Sequence, residues 1–155
     1  MTSLRIGLIS DTHGLLRPQA LAALQGCDRI LHAGDIGKPE ILDALRQLAP
    51  LTAVRGNNDV DTWADAVREV EELWLGETGI YLVHDQADIP ADLKARGFSV
   101  VVTGHSHKPL VTERAGLVHV NPGSAGPRRF KLPVSVGFLL IEKGEVRAEL
   151  RELQI

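Results

Sequence analysis

The sequence contains a single cysteine, Cys27, among its 155 residues. One cysteine cannot form a disulfide within the chain, and its isolation also excludes a cysteine-rich zinc site. No apolar run approaches the ~20 residues that a membrane-spanning helix needs. The N-terminus lacks the charged segment and the small-residue cleavage site of a secretory signal. These absences predict a cytoplasmic protein that has no membrane partner.

A basic excess is also missing, because the formal net charge is -3. A protein that binds long nucleic acids usually carries a positive excess, so nucleic acid is an unfavoured partner, although a local basic patch stays open. Hydrophobic residues make up 44% and charged residues 24% of the chain, as in ordinary globular proteins. The length is sufficient for one sizeable core, which predicts a single domain over residues 1–155.

The first part of the chain alternates strand and helix patterns. Short apolar runs predict strands at 4–9, 29–33 and 51–54. Helical spacing after a proline predicts helices at 18–25 and from Pro39 to the residue before Pro50. This β-α-β-α-β order is typical of a parallel sheet whose ligands bind at the carboxyl ends of the strands.

The rest of the chain is richer in strands. Residues 67–74 alternate between charged and apolar types, and a turn at 76–79 leads into the next apolar run. We predict a third helix at 88–96 and further strands at 80–83, 99–103, 109–112, 117–120, 134–141 and 145–150. The predicted fold class is therefore α/β (α+β), with two packed mixed β-sheets flanked by helices.

Potential metal ligands stand just after five of the predicted strands. They are Asp11, His13, Asp35, Asn57, His84, His105 and His107. Carboxylate, amide and imidazole groups without thiolates suit a hard or borderline divalent ion such as Mn, Fe, Ni, Co or Zn. Seven side chains are too many for one tetrahedral site, so they predict two ions that share a carboxylate. Such ions, ~3.5–4 Å apart, activate water and clamp a phosphate.

Each motif has a plainer interpretation when it is taken alone. Asp11 could cap a helix, and Asp35 or the stretch 56–59 could simply form turns. Asp59 is better suited to a supporting or turn-capping role than to a ligand. A structural domain with one metal and an unrelated α/β nucleotide binder require the five motifs to coincide by chance.

Several other residues leave two interpretations open. The histidines inside predicted strands, His32 and His119, are core or surface residues or else support the ligands. Arg128 and Arg129 bind a phosphate or belong to a solvated loop. The tryptophans at 63 and 74 belong to the core or to a subunit interface.

Five ordered motifs resemble those of the calcineurin-like metallophosphoesterase superfamily. They are Asp11-x-His13, Gly34-Asp35, Gly56-Asn57-x-Asp59, His84 and Gly104-His-x-His107. The short length and the stretch 121–124, Asn-Pro-Gly-Ser, resemble the small prokaryotic phosphodiesterase branch of that superfamily. The similarity extends from residue 4 to about residue 129.

The resemblance implies an αββα sandwich and a dinuclear centre. In it Asp11, His13, Asp35 and His107 hold the first metal, Asp35 bridges, and the second metal is completed by Asn57, His84 and His105. The implied activity is hydrolysis of a small phosphodiester by a metal-bridging hydroxide, with Asn57 and His105 stabilising the phosphoryl oxygens. Manganese is the expected ion, with nickel, iron, cobalt and zinc as alternatives.

The family pattern implies two further possibilities and is broken at two positions. The small branch often forms homo-oligomers, and a retromer coat subunit of similar fold acts as a non-catalytic scaffold.

Many members carry a histidine where this chain has Asn58. In our interpretation Asn58 contacts the substrate together with Arg128. The family also often continues His-Gly-His at the fourth motif, whereas this chain reads His84-Asp85-Gln86.

Overall fold

Ten β-strands and two α-helices form the regular structure in residues 3–155, which the computed structural model describes. In chain order the strands are β1 (Leu4–Ile9), β2 (Arg29–His32), β3 (Leu51–Ala53), β4 (Val70–Leu75), β5 (Thr78–Val83), β6 (Phe98–Val102), β7 (Leu110–Arg114), β8 (Leu117–Asn121), β9 (Ser135–Glu142) and β10 (Glu145–Glu152). The helices are α1 (Pro18–Ala23) and α2 (Pro39–Arg46).

The strands form two five-stranded mixed sheets. The first sheet has the order β10-β9-β1-β2-β3, and the second has the order β4-β5-β6-β8-β7. Strands β1, β2 and β3 run parallel in the first sheet, as do β5, β6 and β8 in the second. The remaining pairings are antiparallel. The predicted pair of mixed sheets is confirmed.

Aliphatic side chains from both sheets pack together between them. Ile6 and Leu8 of β1 share this cluster with Leu82 of β5 and Val102 of β6. Ile9 follows Leu8 directly and therefore points to the opposite face of the strand, where it belongs to the cluster on the other side of the first sheet. Strand β1 is therefore buried on both faces, which explains why its sequence is continuously apolar.

The two α-helices cover the outer face of the first sheet. Each begins with a proline, which is well tolerated in the first turn because that turn needs no N–H donor. Ile41, Leu42 and Leu45 of α2 are buried in the same cluster as Ile9. Their spacing places one apolar face against the sheet.

The third predicted helix is wrong. Residues 91–97 form turns, preceded by a short 3₁₀ segment at Gln86–Asp88. Only Leu93 is fully buried in this stretch, where it packs on the outer face of the second sheet. A nine-residue helix is marginal without an apolar stripe, and one leucine does not provide that stripe. The predicted flanking by helices therefore holds for the first sheet only.

The two tryptophans, for which the sequence leaves a core or a subunit-interface role open, differ in burial. Trp63 packs against the helix-side core, and Cys27 is buried there. Trp74 is 46% exposed and stacks on Phe98 across the second sheet. In residues 3–155 no helix is long and apolar enough to cross a membrane.

We expect Leu8→Ala to lower the free energy of unfolding by about 2–5 kcal/mol, because it removes a fully buried side chain between the sheets and leaves a cavity. Leu150→Ala is the matched control, since Leu150 is 39% exposed and its loss changes stability by less than about 0.5 kcal/mol. Urea denaturation followed by circular dichroism measures both. Equal effects in the two variants would contradict the proposed core.

Candidate metal centre

Five loops meet at the carboxyl ends of β1, β2, β3, β5 and β6. Backbone hydrogen bonds join them: the Asp11 N–H donates to the Gly34 carbonyl at 2.9 Å, and the His13 N–H donates to the Asp35 carbonyl at 2.8 Å. The loops after β5 and β6 are joined in the same way, from Gly104 N–H to the His84 carbonyl at 2.9 Å. All seven residues predicted as ligands lie on these loops.

Three of these side chains converge in a first group. His13 Nε2 lies 3.4 Å from His107 Nε2, and Asp11 Oδ1 lies 3.7 Å from the former and 3.5 Å from the latter. The other Asp11 oxygen, Oδ2, accepts hydrogen bonds from Ser10 Oγ at 2.7 Å and from the His105 backbone N–H at 3.0 Å. The carboxylate is thus held by one oxygen and directs the other into the group.

Four side chains converge in a second group. His84 Nε2 lies 3.2 Å from Asp35 Oδ2, 3.1 Å from Asn57 Oδ1 and 3.3 Å from His105 Nδ1. Asn57 Oδ1 is 3.2 Å from His105 Nδ1. Asp35 Oδ2 also lies 3.6 Å from His13 Nε2, so this one oxygen stands between the two groups.

Both groups have the spacing and chemistry of ligand sets for divalent cations. Two ligands at ~2.1 Å from a tetrahedral ion are separated by about 3.4 Å, which is the range found in both groups. Asp11 Oδ1 is buried and has no hydrogen-bond partner among the described residues. A buried carboxylate oxygen without a donor needs a cation, and the two ring nitrogens that face it offer lone pairs to the same ion.

Burial and neighbours set the charge of these groups. Burial acts to raise the pKa of Asp35, yet the His84 ring and the Asn58 backbone N–H lower the pKa to about 2. Burial raises the pKa of Asp11 and lowers the pKa of His107. Asp35 is therefore ionised at neutral pH, and His107 favours the neutral form that a metal requires.

The backbone adopts an uncommon conformation at five of the seven predicted ligands. Asp11, His13, Asp35, His105 and His107 have positive φ values, between 46° and 71°. This left-handed conformation costs roughly 1–2 kcal/mol for a non-glycine residue. Strained residues of this kind cluster at functional sites, where the surrounding structure holds them. The motifs themselves do not indicate this backbone conformation.

Asp59 supplies much of that support. Its carboxylate accepts backbone N–H bonds from Ile36 and Gly37 at 3.0 Å each and from Gly56 at 2.9 Å. These donors belong to the loops that carry Asp35 and Asn57. The supporting role that the sequence favours for Asp59 agrees with these contacts.

His32 ties the loop after β1 to the loop after β2. Its Nδ1 accepts a hydrogen bond from the Gly34 N–H at 3.1 Å, which leaves the proton on Nε2, 3.0 Å from Thr12 Oγ1. Thr12 in turn donates to the Ile36 carbonyl at 2.7 Å. Complete burial lowers the pKa of His32 to about 3, so the ring stays neutral. The other histidine inside a predicted strand, His119, has its Nε2 atom 2.8 Å from Thr103 Oγ1.

Two glycines allow the close approach of loops to the carboxylates. At Gly104 a Cβ atom would overlap with Ser10 Oγ and lie 2.8 Å from Asp11 Oδ2. At Gly56 it would overlap with Asp35 Oδ1. The glycine of the third motif and the glycine of the fifth motif therefore have a steric reason in this chain.

The remaining predicted residues lie at the edge of the centre. Asn58 donates to Asp35 through its backbone N–H at 2.9 Å and its side-chain amide at 3.2 Å. Arg128 is exposed on the loop that Ser124 joins to the Asp11 carbonyl at 3.0 Å. The sequence pattern includes Asn121 in the stretch 121–124 but assigns it no role; its amide donates to the Gly104 carbonyl at 2.8 Å and thereby supports the fifth motif.

Comparison with known proteins agrees with this geometry. Residues 4–144 match the family model of the calcineurin-like phosphoesterase superfamily domain. The chain belongs to this superfamily. A probable metallophosphoesterase of Methanothermobacter thermautotrophicus is 34% identical over 161 residues, which cover 94% of this chain and 90% of that protein. The predicted family is thus confirmed, and its members are metal-dependent hydrolases of phosphoesters.

Two further relatives show the range of proteins with this fold. Phosphodiesterase YfcE of Escherichia coli K12 is 28% identical in sequence over 88% of this chain and 87% of its own. Its solved structure matches with a TM-score of 0.69 at 21% identity, covering 97% of this chain and 100% of that one. Vps29 of Entamoeba histolytica, solved in complex with zinc, matches with a TM-score of 0.72 at 25% identity, covering 96% and 99%.

We expect Asp59→Ala to lower the free energy of unfolding by about 2–4 kcal/mol, because three backbone N–H groups lose a charged acceptor. It should also weaken metal binding, since the loops of Asp35 and Asn57 lose their connection. Urea denaturation and calorimetric metal titration measure the two effects. Asp61→Ala is the control, because Asp61 is exposed on the same loop. An Asp59→Ala protein that matches the control in both measurements would refute this role.

Proposed function

We propose that this chain is a dinuclear metal-dependent phosphodiesterase. The observation that carries the proposal is Asp35 Oδ2, which lies within 3.6 Å of His13 Nε2 in one donor group and 3.2 Å of His84 Nε2 in the other. One oxygen in that position suits a bridging ligand between two ions. Bound there, divalent ions supply an activated water nucleophile and a clamp for the phosphoryl oxygens. Manganese is the ion we expect.

Two residues of the second group, Asn57 and His105, are exposed at the surface from which a substrate would approach. The His105 side chain is 44% exposed, whereas the His84 side chain is 7% exposed. The Asn57 amide offers its oxygen to a metal and keeps its NH₂ group for a phosphoryl oxygen. In our proposal Asn57 and His105 therefore stabilise the charge that builds on the phosphoryl group.

A groove beside the second group has room for one substituent of a diester. Its volume is ≈ 340 Å³, and its walls include Arg55, Val70 and Asp85 next to Asn57 and His84. A phosphodiester has two organic substituents, and the groove can take one while the phosphoryl group sits over the ligands. The name of the similar E. coli phosphodiesterase also favours a diester over a monoester.

Protonation of the leaving group has no histidine at the position that the family often uses. Asn58 stands there, and its amide is directed to Asp35 rather than outward. An amide cannot serve as a general acid. Diesters whose alcohol leaves readily as an anion should therefore be the better substrates. A homo-oligomer and a cytoplasmic location stay predictions of the sequence.

The experiment that tests the proposal starts from metal-stripped protein. Hydrolysis of bis(p-nitrophenyl) phosphate and of p-nitrophenyl phosphate is measured while Mn, Ni, Co, Zn or Mg is added. We expect activity to return as two ions bind per chain and to favour the diester. A protein that binds two ions and prefers the monoester would contradict the phosphodiesterase assignment. A protein that binds none would contradict the metal centre itself.

We expect Asp35→Ala to abolish most of the diesterase activity and to reduce the number of bound ions, because it removes the oxygen that both groups share. Asn58→Ala is the matched comparison, since it removes one side-chain hydrogen bond to Asp35 and leaves the backbone N–H bond in place. Its effect should be small. The diesterase turnover and the bound metal, the latter by elemental analysis, are measured for both variants. Near-native turnover and metal content in Asp35→Ala would refute the bridging role.

A non-catalytic scaffold is the second candidate, because the fold is similar to that of Vps29, a protein whose name refers to vacuolar protein sorting. All seven donor positions are filled here, which favours the enzyme. A metal-loaded, folded protein that hydrolyses none of a broad panel of phosphoesters would favour the scaffold instead.

A further inference from the structure

In His84 and His105 of the second group, one ring nitrogen faces the group and the other faces away from it. The acceptors that lie near the nitrogens facing away include a side chain outside the family pattern. A histidine that offers one ring nitrogen to a metal usually donates the N–H of the other to a fixed acceptor. His84 directs Nε2 into the second group, and its Nδ1 lies 2.7 Å from the Ala33 carbonyl. His105 directs Nδ1 into the same group, and its Nε2 lies 3.6 Å from Asp85 Oδ2.

We propose that Asp85 is a positioning residue that orients His105 in the second group. This inference depends on the proposed function, because it assigns an orienting partner to one of the proposed ligands. Asp85 stands directly after His84, where the resembling family often has glycine. A glycine there has no side chain that could contact His105.

His105 needs such a partner more than the other ligand of its group. Its side chain is 44% exposed, and its φ is 71°, so neither close packing nor a relaxed backbone fixes the ring. The His84 ring, by contrast, is buried and held by a backbone carbonyl. An exposed imidazole can rotate about two side-chain bonds, and a carboxylate on its outer side restricts that rotation.

Asp85 is itself held in place. Its Oδ1 accepts a hydrogen bond from the Ala87 N–H at 3.0 Å and caps the 3₁₀ segment that follows. Oδ2 is then turned toward His105. Because a carboxylate accepts but does not donate, it selects the tautomer with the proton on Nε2. That tautomer leaves the Nδ1 lone pair free for the group that Asn57 and His84 also face.

The distance of 3.6 Å between His105 Nε2 and Asp85 Oδ2 is longer than that of a short hydrogen bond. An imidazole that gives its lone pair to a cation becomes a stronger N–H donor at its other nitrogen. We therefore expect this contact to shorten when the second ion binds. Asp85 and the second ion stabilise each other through the ring between them.

The test compares three variants in cobalt binding, which needs no substrate. Asp85→Ser keeps an oxygen that can cap the Ala87 N–H but is too short to reach His105. Asp85→Asn keeps the shape and an acceptor without the charge. Asp88→Asn is the control, because Asp88 lines the same groove and its loss removes the same charge. Calorimetry measures affinity, and the visible spectrum of bound Co²⁺ reports the ligand geometry.

We expect the affinity for the second ion to fall about 10–100-fold in Asp85→Ser, with a changed cobalt spectrum and an unchanged first ion. Asp85→Asn should show a smaller loss, and Asp88→Asn none. If Asp85→Ser matches the wild type in affinity and spectrum, or if Asp88→Asn loses as much affinity, the inference is wrong. A wild-type protein that binds no cobalt contradicts the proposed function as well, whereas a wild type with two ions and an unaffected Asp85→Ser contradicts this inference alone.

Discussion

The ligand atoms of the two groups are held 3.1–3.7 Å apart at the carboxyl ends of the strands. The contact between His84 and the ionised Asp35 carboxylate is attractive, but Asp11 Oδ1 and the lone pair of a neutral His107 ring gain nothing from each other until a cation joins them. The fold must therefore supply further attraction from elsewhere. It does so with backbone hydrogen bonds between the loops, of which the Asp11 to Gly34 and His13 to Asp35 pairs are the nearest to the ligands.

The strained backbone of the ligands follows from the same constraint. Five ligands have positive φ, and this conformation persists because neighbouring groups fix the loops on several sides. The Asp59 carboxylate joins three backbone N–H groups, and the neutral His32 ring joins the loops after β1 and β2. The stable sheets beneath provide the rigid frame, and the loops hold the chemistry.

Much of this organisation could be predicted from the sequence. The buried strand at 4–9 and the ligand-type residues after it were readable because apolar runs end abruptly in polar residues. The family and the two mixed sheets are confirmed by the comparisons. The helix at 88–96 is predicted because a proline lies near the start of this stretch and a glycine follows it. The prediction is wrong because the stretch has only one buried leucine, so a helix there would have too little apolar surface to pack against the sheet.

The parts that could not be predicted depend on contacts between distant residues. Asn121 meets the Gly104 carbonyl across 17 positions of sequence, and Asp85 meets His105 across 20. The periodicity of a sequence does not predict contacts between such distant residues. The positive φ values could not be predicted from the sequence either, because aspartate and histidine adopt them only where tertiary structure demands it.

The measurement that tests the central claim most directly is anomalous X-ray diffraction from crystals loaded with Mn²⁺. We predict two peaks about 3.5–4 Å apart, with Asp35 Oδ2 between them. One peak should contact Asp11, His13 and His107, and the other should contact Asn57, His84 and His105. A single peak, or two peaks that do not share Asp35, would contradict the account of a dinuclear centre bridged by one carboxylate.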